Sequence, residues 1–96
     1  MKGEILRLQI EGKEVVGELA LELPPGTTAA VRDKAIDTLL VEPLTERAAE
    51  LDLALAAAPS RFALPRNGKD ERGRTVFDLR GRAEGDRLVP VRKTVG

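Results

Sequence analysis

The chain has 96 residues, a third of them charged, with 16 basic side chains against 16 acidic; it has no histidine, cysteine, tyrosine or tryptophan and a single serine, Ser60. This composition removes the side chains that perform most nucleophilic and proton-transfer chemistry near neutral pH, and leaves carboxylates, guanidiniums, ammoniums and aliphatic carbon. It points to one domain over residues 1–96, large enough to close an aliphatic core without disulfides or metal, that acts by contact rather than as an enzyme and needs no cofactor.

Residues 4–23 alternate as a β-hairpin. Gly12-Lys13 is a two-residue loop with glycine first, the type II′ pattern, which pairs positions whose numbers sum to 25. Ile10 then faces Val15, Leu8 faces Gly17 and Leu6 faces Leu19, with Leu21 and Leu23 extending that apolar side. On the opposite side Arg7 falls across from Glu18, a charge pair that supports the same register. Ile5, Val16 and Ala20 also lie on this second side, which makes it a candidate partner-binding surface.

Pro24-Pro25-Gly26 ends the hairpin, and Thr27 or Thr28 caps a helix running to about Leu40. Its expected buried stripe is Val31, Ala35, Ile36, Leu39 and Leu40. Pro43 disfavours helical geometry at Glu42, so the helix is expected to stop or kink there. Thr45 then caps a second helix to about Ala58, with Leu44, Ala48, Leu51 and Leu55 on one stripe. Ala49, Leu53 and Ala56 widen its apolar arc, so that Leu53 and Ala56 join the candidate interface.

Beyond Ser60 the composition turns to arginine and glycine, with loops at 66–73 and 83–86. Residues 75–79 and 88–91 read as strands and 62–64 as a short third. Phe77 and Leu79 alternate inward on one, Val89 and Val91 on the other, and Pro90 confines its strand to an edge or turns its nitrogen to solvent. The architecture expected is two-layer α+β: an antiparallel β-sheet of the N-terminal hairpin and the C-terminal strands, packed against a central helical pair.

The charge is divided along the chain. Residues 1–59 carry a net charge of −5 and residues 60–96 a net +5. Arg72-Gly73-Arg74 and Arg80-Gly81-Arg82 bracket the strand at 75–79, roughly 25 Å apart on extended chain. With Arg87, Arg92, Lys93 and Lys69 they compose a candidate basic stripe for a nucleic-acid backbone, set against turn glycines flanked by solvated, salt-bridged arginines. Glu11-Gly12-Lys13 matches a fragment of some metal-dependent nuclease sites but is already explained as a turn. Asp33 with Asp37 and Glu46 with Glu50 read as exposed helix surface rather than a metal site.

Arginine outnumbers lysine eleven to five, and Asn67, Gln9 and Met1 are each the sole residue of their kind, a composition expected of a heat-adapted source. No apolar leader or membrane-length segment is visible, so a cytoplasmic location is expected. The first functional expectation is a self-associating interaction or structural module, a homodimer. The alternative is a nucleic-acid-binding protein using the arginine-rich C-terminal segment.

Overall fold

The computed structural model describes residues 2–91. The chain is α+β, and among the described residues one helix accompanies six strands that form a curled, mixed sheet. Strands β1 (Gly3–Glu11) and β2 (Glu14–Leu21) form the expected hairpin around Gly12-Lys13. Gly12 lies at φ 66° while Lys13 keeps a negative φ, as a type II′ turn requires. The helix α1 (Ala29–Glu50) follows, then a two-residue strand β3 (Ala54–Leu55) and a 3-10 turn (Pro59–Arg61). Strands β4 (Arg66–Lys69), β5 (Thr75–Glu84) and β6 (Arg87–Pro90) complete the sheet. Its order is β1-β2-β5-β6-β3, with β4 pairing β5 beside β6. All pairings are antiparallel except β3 with β6, so the expected wholly antiparallel sheet is instead mixed.

The hairpin register sums to 25 from Glu11–Glu14 out to Arg7–Glu18, as the turn and the charge pair dictate. Beyond that point it shifts by one, because Leu6 is an extra residue in β1 and Ile5, not Leu6, stands opposite Leu19. A one-residue shift exchanges the two faces of a strand. Leu6 is therefore left 37% exposed, and Ile5 turns inward to pack against the core. The same shift brings Gly3 to the core side, where an added Cβ would lie 3.0 Å from both Leu21 and Leu40.

The expected helical pair is a single 22-residue helix. Pro43 sits inside α1 and does not end it. Proline at this position removes one backbone hydrogen bond and costs about 3 kcal/mol relative to alanine. Ile36, Leu40, Leu44 and Ala48, spaced four apart and fully buried, form one continuous stripe on the core, and burying each large aliphatic contributes about 1.5–3 kcal/mol. Stopping at Pro43 would withdraw Leu44 and Ala48 from that stripe, so the buried stripe outweighs the proline. Thr28 caps the start by accepting from the Val31 N–H, whereas the Thr45 hydroxyl donates to the Val41 carbonyl one turn back rather than capping a new helix. The buried stripe also corrects the expected one, since Val31 is exposed.

The helix ends in a paired set of reverse hydrogen bonds. The Leu53 N–H donates to the Ala48 carbonyl and the Asp52 N–H to that of Ala49, both at 2.9 Å, with Asp52 in the left-handed region at φ 60°. The expected second helix is thus replaced by this reversal, which carries the chain into β3 beside β6.

The core gathers Val15, Leu19 and Leu21 of β2, Phe77 and Leu79 of β5, Leu88 of β6, the stripe of α1, Leu53 and Phe62. On β6 the inward residue is Leu88, opposite Ala83, while Val91 is exposed, which reverses the expected alternation. Residues 62–64 form no strand, and Ala63 makes an isolated bridge to Arg80. Strand β6 is not an edge, since it lies between β5 and β3, but β3 pairs only with Arg87 and Leu88, so among the described residues the missing donor of Pro90 breaks no ladder hydrogen bond with β3.

Candidate functional site

The face of the sheet opposite the core is built in rows across β1, β2 and β5, and each row follows from the register. Glu4, Ala20 and Val76 form one, Arg7, Glu18 and Asp78 the next, then Gln9, Val16 and Arg80, and finally Glu11, Glu14 and Arg82. Acidic residues of the N-terminal half and arginines of the C-terminal half therefore interleave on a single surface. The register thus sets charges of both halves side by side on this face.

Arg74 shows this most directly. Its Nη2 donates to Glu4 at 2.6 Å and its Nε to Asp70 at 2.7 Å, and its side chain is only 13% exposed. Asp70 in turn organises the β4–β5 loop: its Oδ1 accepts from the N–H groups of Arg72 and Arg74. Burial alone pushes the Asp70 carboxyl up, but these two N–H groups and the Arg74 guanidinium outweigh it and hold it below the usual carboxylate range. Arg7 donates to Glu18 on the second row at 2.5 Å, and Asn67 donates to Asp78 beside it.

Arg72, Arg80, Arg82 and Arg87 are exposed, and among the described residues none of them lies within ion-pair distance of a carboxylate. Arg80 and Arg82 stand two residues apart on the same face, while Arg72 is in the β4–β5 loop and Arg87 stands opposite Glu84 in the β5–β6 backbone register without an ion pair. Arg92 and Lys93 lie outside the described residues. Gly81 is not a turn glycine: it sits inside β5, where an added Cβ would lie 2.9 Å from the Phe62 ring and 3.0 Å from the Val89 carbonyl. The Arg80-Gly81-Arg82 repeat is therefore strand, with its glycine kept by close packing and its arginines turned outward.

Of the candidate interface residues, Ala20 and Leu53 are buried within the fold, Ile5 packs on the core through the Leu6 bulge, and Val16 and Ala56 are half-buried. Leu53 follows the reversal at Asp52, which turns it inward beside Ala48, so it is core and not interface. The Ala56 N–H is engaged with the Leu88 carbonyl beside β6. The exposed large apolar residues are others: Leu6, Ile10, Val31, Val41 and Val91.

Two of these, Leu6 and Ile10, share β1, and β1 is an edge of the sheet. A two-residue hairpin loop closes on a hydrogen-bonded pair, here Glu11–Glu14, so Gln9 and Arg7 also direct their backbone groups toward β2. Leu8 and Ile10 direct theirs away from it. Among the described residues no strand pairs with that side of β1. Arg47 of α1 reaches this strand, its Nη2 donating to the bulged Leu6 carbonyl at 3.4 Å. Sequence reasoning missed this edge because alternation assigns a strand its faces but not its neighbours.

Asp37, read as helix surface, has both oxygens engaged by Ser60, and Arg32 donates to Asp33. Among the described residues no three acidic side chains converge as a metal site would need, and no helix is long and apolar enough to cross a membrane. The chain matches no protein-family model, and no curated protein or solved structure matches it.

Proposed function

We propose that this chain is a small interaction module that self-associates and works by contact, without catalysis. The observation that carries the reading is the side of β1, a nine-residue edge strand, with which no strand pairs among the described residues, and on which Leu6 is 37% and Ile10 40% exposed. Unsatisfied strand edges with apolar side chains recruit a further strand. Composition alone supports the rest: a heat-adapted cytoplasm as its setting, and the lack of imidazole, thiol and phenol as the reason to expect no turnover. Light scattering over a range of concentrations tests it: a mass approaching twice that of one chain is expected, and a constant single-chain mass overturns it.

A second reading, nucleic-acid binding, draws on the adjacent exposed pair Arg80 and Arg82, which have no ion-pair partner among the described residues. Affinity for an oligonucleotide falling steeply with salt, and lost in Arg80→Glu with Arg82→Glu, supports it. Arg74 is a poor probe of this reading because Glu4 and Asp70 already hold it.

A further inference from the structure

We propose that the partner is a second copy of this chain, joined by antiparallel pairing of β1 with the partner's β1, with Gln9 of each copy on the two-fold axis. This rests on the self-association reading above and deepens it by naming the edge and the register.

The backbone selects the parity. Leu8 and Ile10 direct their N–H and C=O groups away from β2, where no strand pairs among the described residues, so a second β1 must place its own Leu8 and Ile10 against them, which limits the pairing to even sums of residue numbers. Charge selects among those sums. A sum of 14 places Arg7 against its own copy, and a sum of 22 does the same for Glu11, both like-charge contacts. A sum of 16 brings the bulged Leu6 into the ladder, and a sum of 20 places Arg7 against Lys13. The sum of 18 alone sets Arg7 across from Glu11, twice by symmetry, while Leu8 exchanges both backbone hydrogen bonds with Ile10 of the other copy.

The monomer carries a mark of this arrangement. Glu11 stands directly opposite Glu14 within the hairpin, a like-charge pair that is unfavourable by itself. Glu14 has Arg82 on its other side, but Glu11 lies at the edge, where among the described residues the one side-chain donor to it is the neutral amide of Gln9, at 3.0 Å. In the proposed register the second copy's Arg7 fills that place. The row then reads Arg82, Glu14, Glu11 and the second copy's Arg7, with each carboxylate flanked by a guanidinium. On the core side, Leu8 and the 40% exposed Ile10 cover their symmetry mates. The bulge at Leu6, tied down by Arg47, ends the available edge so that five residues, 7–11, make the contact.

The absence of native cysteine makes the register testable by cross-linking. A residue pair on the axis without mutual hydrogen bonds has Cα atoms about 4.5 Å apart, within disulfide range. Under copper–phenanthroline oxidation Gln9→Cys is expected to form a covalent dimer. Arg7→Cys and Glu11→Cys are each expected to stay uncoupled alone and to cross-link when mixed. In the otherwise native chain Glu11→Arg, which sets guanidinium against guanidinium, is expected to return the scattered mass to that of one chain without lowering the thermal midpoint of the monomer. A native chain of dimer mass whose Gln9→Cys form does not cross-link, or whose Glu11→Arg form stays dimeric, overturns this interface and leaves self-association standing. A native chain of single-chain mass overturns both.

Discussion

Both carboxylate oxygens of Asp37 accept from Ser60, Oδ1 from its backbone N–H at 2.9 Å and Oδ2 from its hydroxyl at 2.7 Å. The only serine of the chain thereby fastens the 3-10 turn to the middle of α1, 23 residues away in sequence, and Pro59 beside it is buried. Ser60→Ala removes the hydroxyl bond and is expected to cost about 1–2 kcal/mol in chemical denaturation; Asp37→Ala, which strands both donors, should cost more. Because the two residues act together, the double variant should be less unstable than the two losses added, and strict additivity would refute the coupling.

Pro43 is retained in α1 against its backbone preference, so relieving it should help. Pro43→Ala restores a hydrogen bond to the Leu39 carbonyl and is expected to raise stability by about 1–3 kcal/mol, less than the full helix-propensity difference because proline also restricts the unfolded chain. A lowered midpoint would mean that the proline ring itself fills space the helix needs.

Asp52 occupies the left-handed position at the end of α1, at φ 60°, where glycine carries no Cβ penalty. Asp52→Gly is expected to stabilise the fold by about 0.5–1 kcal/mol. Asp52→Val, a β-branched residue at the same φ, should destabilise it, and the contrast between the two in thermal unfolding checks that the backbone and not the carboxylate matters here.

Asp70 sets a pH dependence whose direction follows from its environment. Burial opposes its charge, but the N–H groups of Arg74 and Arg72 and the Arg74 guanidinium prevail, so its carboxyl titrates lower in the folded chain than in the unfolded one. The unfolded state then binds the proton more readily, and the stability this group contributes is fully present above the ordinary carboxylate range of about 4 and is lost as pH falls through its folded value. Unfolding free energies of the native chain and of Asp70→Asn, measured from neutral pH into acid, should differ most at neutrality and converge at the acid end. A gap that stays constant with pH would show that the carboxylate charge is not what holds the loop.

How much was legible in the sequence differs element by element. Gly12-Lys13 and the Arg7–Glu18 pair were enough to set the hairpin register over its last five rungs, because a two-residue turn leaves only one alignment. The Leu6 bulge was not, since one inserted residue leaves the alternation looking intact while exchanging the faces of Ile5 and Leu6. The same kind of tertiary override carries α1 through Pro43: the proline signal is local, whereas the stripe from Ile36 to Ala48 gains its value from a sheet formed by residues on both sides of it in sequence. For the candidate site, the sequence showed which charges exist, but their interleaving arises from β5 pairing beside β2.

The sequence by itself determined the class of fold, the aliphatic core and the chemistry left to the surface, because composition, alternation and turn residues act over a few neighbours and need no distant partner. Tertiary structure alone decided that α1 is one helix, that Leu53 is core and Ala20 is buried, that Arg74 is enclosed by Glu4 and Asp70, and that β1 is an edge. These depend on which strand lies beside which, a matter of long-range packing and register in which a shift of one residue reverses what is buried and what is offered to a partner.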